Sequence, residues 1–368
     1  MKKVLFTATV DSHILHFHIP YLKLFKENGY EVHVATNGDE KIPYCDVKHK
    51  ISFERSPIKL NNLKAIKQLK KVIDKEKFDI IHCHTPMGSV VTRLAAKKAR
   101  KNGTRVIYTA HGFHFYKGAS LLNWLVFYPI EKILSYITDD LITINKEDYE
   151  LALKKFHAKN TYYVPGVGVD KAKFDFIFTD DEKHKLRESL SLNDDDFVII
   201  YVAELNKNKN QKLAIEAMKE LTSKNNKVKL LLVGKGSYGP KYQEMVADLE
   251  LQDNVIFAGY RKDVNKLLKI ANLGISCSIR EGLGLNIIEE LCSGLAVIST
   301  RNRGHLSIYD NEYIIDYDKK VLSEKLEKII NASSEEYTKI YLSESKDLQS
   351  FLFDNIKKSM CKIYGIEK

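Results

Sequence analysis

Residues 280–290 read REGLGLNIIEE. Two carboxylates, Glu281 and Glu289, stand eight positions apart, and Gly282 and Gly284 follow the first. The stretch comes directly after the apolar run LGISCSI and opens an amphipathic pattern, so it reads as a strand-to-helix turn with a helix over 285–292. Glycines there let backbone N–H groups approach a ligand closely. The N-terminus of a helix adds partial positive charge, which favours a diphosphate. Glu281 would lie in the loop and Glu289 one turn into the helix. Both can accept hydroxyl hydrogen bonds, at opposite ends of one ligand such as a sugar and a ribose diol. The competing reading is a plain helix cap with Glu289 exposed.

Other segments carry weaker signals. VAELNKNKNQ places Lys207 and Lys209 after a strand, where a lysine can neutralise a phosphate leaving group; a solvated loop is the alternative. GKGSYG, with Gly234, Gly236 and Gly239, matches GxGxxG after a strand. The next strand, NVIFAGY, ends without the acidic residue a nicotinamide site needs, so the match reads as a tight turn beside a nucleotide. YTAHGFHFYKG ends a strand on His111, a candidate polar contact for a ligand. The pairs His16/His18 and His82/His84 would each share a face if they lay on strands. No third ligand or acidic cluster accompanies them, and no metal site is expected. Asp194–Asp196 reads as a solvated turn before a strand. Trp124, Phe127 and Tyr128, with Lys117 nearby, suit a membrane interface, a core helix being the alternative.

Positioning these residues requires a particular scaffold. Buried strands alternate with amphipathic helices from KKVLFTATV through DDLITIN, which implies a parallel sheet covered on both faces. The rhythm breaks at YYVPGVGVDKAKFDFIFTDD, a connector marked by Pro165, Gly166 and Gly168. A second series then runs from FVIIYVAEL to AVIST, and DLQSFLFDNIKKSMCKIYGI reads as a terminal helix. A chain of 368 residues fits two domains. They are expected over 1–168 and 169–349, with the helix of about 350–368 packing back on the first. Two such sheets face to face leave a cleft, and ligands bind beyond the C-terminal ends of the strands.

Composition narrows the class. No apolar run approaches the ~18 residues of a membrane helix. The start, MKKVLFTATVDSH, lacks a long apolar stretch and a cleavage site, so it reads as a first strand. Five cysteines without a CxxC pair argue against a disulfide framework or zinc site and fit a reducing cytosol. The net charge of +10 is uneven: residues 1–170 hold 27 Lys and Arg against 17 Asp and Glu, whereas the remainder balances at 31 of each. A basic first half points to an anionic partner such as a membrane surface, or else to a lysine-rich solvated face.

These segments together resemble the retaining GT-B glycosyltransferases of family four, in the branch that builds capsule and exopolysaccharide. The similarity spans nearly the whole chain. Its most specific part runs from LLVGKG through NVIFAGY to ISCSIREGLGLNIIEELCSGLAVIST, and contains the E-x7-E pattern as Glu281 and Glu289. TATVDSHILHFHIPYLKLFKENGYEVHVATN and YTAHGFHFYKG resemble the capsular branch in particular. The resemblance implies an α/β GT-B fold, two Rossmann-like doubly wound domains facing across a cleft. The first would bind the acceptor and the second the nucleotide sugar.

It also implies roles. Glu289 would hold the ribose hydroxyls and Glu281 the donor sugar. The backbone of Gly282, Leu283, Gly284 and Leu285 would hold the diphosphate, Gly236 would flank the nucleotide, Lys209 would balance the leaving diphosphate, and His111 would approach the donor sugar. The family's usual arginine five positions before its lysine is Glu204 here, so either the positive charge at the diphosphate is smaller or another base such as Lys207 or Arg261 supplies it. The usual N-terminal glycine-rich loop is replaced by TVDSHILHF, with His13 and His16 on the acceptor side. RNRGHLSI lacks the common glycine-pair and glutamate pattern. The expected enzyme is a metal-independent retaining hexosyltransferase. It would move an N-acetylhexosamine or its 6-deoxy form from a UDP-sugar to an undecaprenyl-diphosphate-linked saccharide. No cofactor, metal or nucleic acid is implied. It would work in the cytoplasm, peripheral on the inner face of the membrane. The alternatives are a UDP-N-acetylglucosamine 2-epimerase-like isomerase and a non-catalytic partner subunit.

Overall fold

The computed structural model describes residues 1–366. The chain divides into two compact units. The first comprises Met1–Val167 together with the chain from Lys358 onward, and the second comprises Gly168–Lys357.

The first unit contains strands β1 (Lys3–Thr7), β2 (Glu31–Thr36), β3 (Val47–Lys50), β4 (Ile80–Cys83), β5 (Arg105–Ala110), β6 (Asp140–Thr143) and β7 (Asn160–Tyr163). Between them run α1 (Asp11–Phe17), α2 (Ile19–Glu27), α3 (Asn61–Glu76), α4 (Pro86–Lys101), α5 (Leu121–Ser135) and α6 (Lys146–Lys155). The sheet order is β3-β2-β1-β4-β5-β6-β7, and β1 pairs in parallel with both β2 and β4. Val4, Leu5 and Phe6 are fully buried, as strands covered on both faces must be. The topological switch, where chain order reverses, lies between β1 and β4.

The second unit contains α7 (Asp180–Glu188), β8 (Phe197–Val202), α8 (Gln211–Lys224), β9 (Val228–Val233), α9 (Gly239–Asp248), β10 (Val255–Gly259), α10 (Val264–Ile270) and β11 (Leu273–Ser276). It continues with α11 (Leu285–Cys292), β12 (Val297–Thr300), β13 (Ile314–Ile315), α12 (Lys319–Ile330) and α13 (Ser334–Glu344), and α14 (Phe353–Tyr364) follows. The order β10-β9-β8-β11-β12-β13 puts its switch between β8 and β11. Leu230, Leu232, Ile199, Leu273, Ile275 and Ile298 centre one continuous core.

Several elements differ from the sequence reading. DSHILHF is a helix, α1, rather than a loop, and Asp11 fixes it. That buried carboxylate accepts from Thr36 Oγ1 (2.5 Å), the Glu40 amide (2.9 Å) and Lys48 Nζ (2.8 Å). Burial alone would raise its pKa, but the Lys48 and Thr36 bonds hold it below the usual carboxylate range. Within Asp194–Asp196, Asp196 is buried and accepts from the Asn193 amide at 2.7 Å, so the turn is only partly solvated. Val169 and residues 351–353 exchange backbone bonds of 3.0 and 2.9 Å within the second unit, and only residues from Lys358 join the first.

Helix α5 is anchored by charge. Arg93 on α4 is buried, donates to Glu131 Oε2 at 2.8 Å, and lies over the Tyr108 ring at 4.1 Å. Removing one member of such a pair strands the other without compensation. Glu131→Ala is therefore expected to cost about 3–5 kcal/mol. Trp124, the one tryptophan, sits on the same helix and reports the loss as an earlier urea midpoint in fluorescence. An unchanged midpoint would mean that α5 is held by its apolar contacts alone.

Candidate functional site

The predicted residues fall into two groups, one in each unit; Lys209 and Glu281 follow the strands beside the second unit's topological switch, whereas Gly236 and Arg261 follow β9 and β10.

In the second unit the loops after β8 and β11 are tied together. Asn208 Nδ2 donates to the Arg280 carbonyl at 2.9 Å, and the Ile279 amide donates back to the Asn208 carbonyl at 2.8 Å. Tyr201, buried at the end of β8, donates its hydroxyl to the Lys209 carbonyl. The Lys209 amide bonds Asn206 Oδ1 at 2.9 Å. So held, Lys209 Nζ meets Glu281 Oε1 at 2.6 Å. Burial would raise the Glu281 pKa, but Lys209 and a Ser278 hydrogen bond bring it below the usual carboxylate value. The site therefore holds a charged pair before any ligand arrives.

Gly284 caps α11 with φ +102°, a left-handed conformation that a side chain disfavours. A Cβ there would stand 3.1 Å from His305 Cδ2. His305 is itself fixed: its Nδ1–H donates to the Thr300 carbonyl at 2.7 Å, and Nε2 faces Ser276 Oγ at 3.3 Å. Burial lowers its pKa to about 4, so the ring is neutral. Gly304 has the same tight fit from the other side, because a Cβ would lie 2.6 Å from that of Glu281. Of the first amides of α11, that of Ile287 donates to the Gly284 carbonyl at 3.1 Å, and those of Leu285 and Asn286 lie at the open end of the helix, where no intrahelical carbonyl precedes them. Leu283 is buried, so only its backbone can serve a ligand. Glu289 lies one turn along α11, half-buried, and burial pushes its pKa up to about 7 against the pull of Lys173. It is not the exposed glutamate of a plain cap.

The remaining expectations in this unit fare differently. Glu204 and Lys207 are exposed. Arg261 is committed to Asp263 by bonds of 2.8 and 2.6 Å, so its charge is already balanced. At Gly236 a Cβ would meet the Leu205 carbonyl oxygen at 2.2 Å. The chain's own backbone therefore requires a glycine at this position. Sequence reasoning missed His305, Gly304 and Asn208. The signal for the first two was RNRGHLSI, whose glycine and histidine stand at a strand end.

In the first unit four histidines converge. His13 comes from α1, His18 from the α1–α2 junction, His84 from the end of β4 and His111 from the end of β5. One ring nitrogen of each lies within 4.8 Å of the others. The His18 and His84 rings stack at 3.7 Å, and those of His13 and His111 lie 4.7 Å apart. Burial lowers the pKa of His13 to about 2 and of His111 to about 4, and takes His18 and His84 well below the usual value. This corrects the expectation that no third ligand accompanies the histidine pairs. The pairs themselves do not act as pairs. His16 is exposed and bonds the Ser12 carbonyl at 2.5 Å, because helix α1 sends it away from His18. His82 is satisfied in the core by Tyr364 Oη and Thr109 Oγ1, both at 2.8 Å. The second grouping of metal-capable residues, Glu31, His33 and Glu76, already holds Lys3 Nζ at 3.4 and 2.9 Å.

Gly284→Ala is expected to destabilise the second unit by about 1–2 kcal/mol through the left-handed backbone alone, with the His305 contact adding to it. Gly239→Ala, where the nearest atom would be 3.6 Å away, serves as the tolerated control. Thermal unfolding of both variants decides it, and equal melting temperatures would refute the strain.

Comparison with known proteins agrees with this architecture. Residues 182–342 match the family model "Glycosyl transferases group 1" and residues 3–145 match "Glycosyl transferase 4-like". EpsD of Bacillus subtilis (strain 168) is 45% identical over 334 residues, 89% of this chain and 87% of that protein. The UDP-Gal:alpha-D-GlcNAc-diphosphoundecaprenol alpha-1,3-galactosyltransferase of Escherichia coli is 29% identical over 262 residues, 69% of this chain and 66% of the other. Among solved structures, Anabaena Alr3699/HepE in complex with UDP and glucose superposes with a TM-score of 0.81 at 18% identity, covering 99% of this chain and 100% of that one. The chain is a glycosyltransferase of family four with the GT-B fold.

Proposed function

We propose that this glycosyltransferase moves a sugar, an N-acetylhexosamine or its 6-deoxy form, from UDP to an undecaprenyl-diphosphate-linked saccharide during capsule or exopolysaccharide synthesis. The observation that carries the reading is the Lys209–Glu281 pair at the N-terminus of α11, with Glu289 one turn along. Lys209 and the first amides of α11 would stabilise the departing diphosphate, a largely electrostatic form of catalysis. Glu281 would contact the donor sugar and Glu289 the ribose hydroxyls. His111 would approach the donor sugar. The acceptor hydroxyl attacks the anomeric carbon from the face that UDP leaves. The bond to the diphosphate oxygen breaks, the hydroxyl proton passes to that oxygen, and configuration is retained. Lys209, not a metal ion, is the cation assigned to the diphosphate. The donor class is supported by the UDP held in the HepE structure, and the acceptor class by the name of the Escherichia coli relative.

A peripheral membrane site on the cytoplasmic face follows from the same reading. Among the described residues no helix is long and apolar enough to span a bilayer. Helix α5 offers a different route from the one its aromatics suggest. Trp124, Phe127 and Tyr128 turn inward against Phe113 and Phe115. Its outer face is aliphatic instead: Leu121, Leu122, Leu125 and Ile133 are each more than 60% exposed, with Lys117 nearby. An apolar row beside basic residues suits an anionic lipid surface. Leu125→Glu with Ile133→Glu is expected to abolish cosedimentation with anionic vesicles while UDP binding persists. Unchanged sedimentation would remove α5 from the membrane contact.

Ribose binding by Glu289 predicts a pH dependence. Its carboxyl titrates near 7 without ligand, and hydroxyl donors favour the ionised form. Raising the pH from 6 to 8 ionises it, so UDP affinity should rise by about tenfold. Glu289→Gln should bind UDP more weakly and lose that dependence. Calorimetry with UDP, GDP and ADP in EDTA measures both. Unchanged UDP affinity in the variant would sink the ribose assignment. Glu281→Ala should slow transfer with UDP affinity largely kept.

A further inference from the structure

Core histidines are normally satisfied, and His82 shows how, with both ring nitrogens hydrogen-bonded. Its neighbours behave differently. His13 Nε2, both nitrogens of His18, and His84 Nε2 are buried without a hydrogen-bond partner. They lie in one place, and His18 and His84 are buried almost completely. Three segments of chain converge to bring them there: residues 13–18, the end of β4 and the end of β5. A fold that only needed apolar filling would hold phenylalanine or leucine at such positions, as it does at Phe6 alongside.

We propose that His13, His18, His84 and His111 bind one transition-metal dication of borderline softness, with Zn2+ the first choice. The donor set is all imidazole, which suits zinc, copper and nickel and not the oxygen-seeking magnesium or calcium. The cluster shares no residue with the Lys209–Glu281 pair, so its test does not depend on that pair. It does bear on His111. A ring nitrogen given to a metal is not available to a sugar, so a loaded cluster and the sugar contact proposed for His111 through that nitrogen are alternatives.

The test uses metal-stripped full-length protein without a histidine tag, titrated with Co2+ and followed by its ligand-field absorption. One saturating equivalent with tetrahedral-type bands, displaced by Zn2+, is expected. His18→Ala and His84→Ala should each weaken Co2+ binding by at least about tenfold, the scale on which even outer partners of metal ligands act. His16→Ala, altering an exposed ring on the same helix, should bind as wild type. Circular dichroism checks that the variants fold. Should the two buried variants fail that check, His13→Ala replaces them. No saturable band in the wild type overturns the proposal, and so does binding that is lost in His16→Ala but kept in the cluster variants.

Discussion

The ion pair between Lys209 and Glu281 is the constraint around which the candidate site of the second unit is arranged. Two opposite charges at 2.6 Å, with side chains 23% and 14% exposed, are stable only if both are held in register. Tyr201, Asn206 and Asn208 fix the lysine's loop, and Ser278, Gly304 and the Arg280 carbonyl fix the glutamate's. These contacts lie across the switch between β8 and β11, where two loops turn opposite ways and leave room. The two charges balance one another, so under the function proposed above a diphosphate would have to compete with Glu281 for the Lys209 ammonium.

The first unit solves a different problem with neutral groups. Its switch between β1 and β4 is lined by imidazoles, and the helix that delivers two of them is held by the buried Asp11. Gly38 records how close that arrangement is, since a Cβ there would fall 2.1 Å from Asp11 Oδ2. The basic excess of this half does not reach the histidine cluster, which burial keeps uncharged. The charge instead clothes the surface, where Lys117 flanks the exposed aliphatic row of α5.

Much of the scaffold was legible because buried strands are continuous apolar runs and amphipathic helices repeat at 3.6 residues. The helix of Leu285–Cys292 could be read to the residue, with its glycine cap. Elements without that signal were invisible. Strand β3, VKHK, is a charged sheet edge. Helix α7, DDEKHKLRE, buries only Arg187, whose guanidinium bonds the Ile270 carbonyl at 2.6 Å. At the site, Glu281, Glu289 and Lys209 were readable from spacing and resemblance, and the structure brings Lys209 onto Glu281 across 72 positions of sequence. The four-histidine cluster was not readable. Its members come from segments far apart in sequence, and the i,i+2 spacing that drew attention grouped the wrong partners. Gly236 is ambiguous in another way, because a glycine required by neighbouring backbone looks the same in sequence as one required by a ligand.

Tyr364 carries an implication for how the protein is made. Its ring packs on Phe25 at 4.7 Å, and its hydroxyl satisfies His82 in the interior of the first unit. These groups leave the ribosome only after the entire second unit has been synthesised. The N-terminal half, although first to emerge, must wait with an unfilled notch beside β4 while the other half is completed. Vectorial synthesis thus favours finishing the second unit first, and closure of the earlier half becomes a late event in the life of the nascent chain.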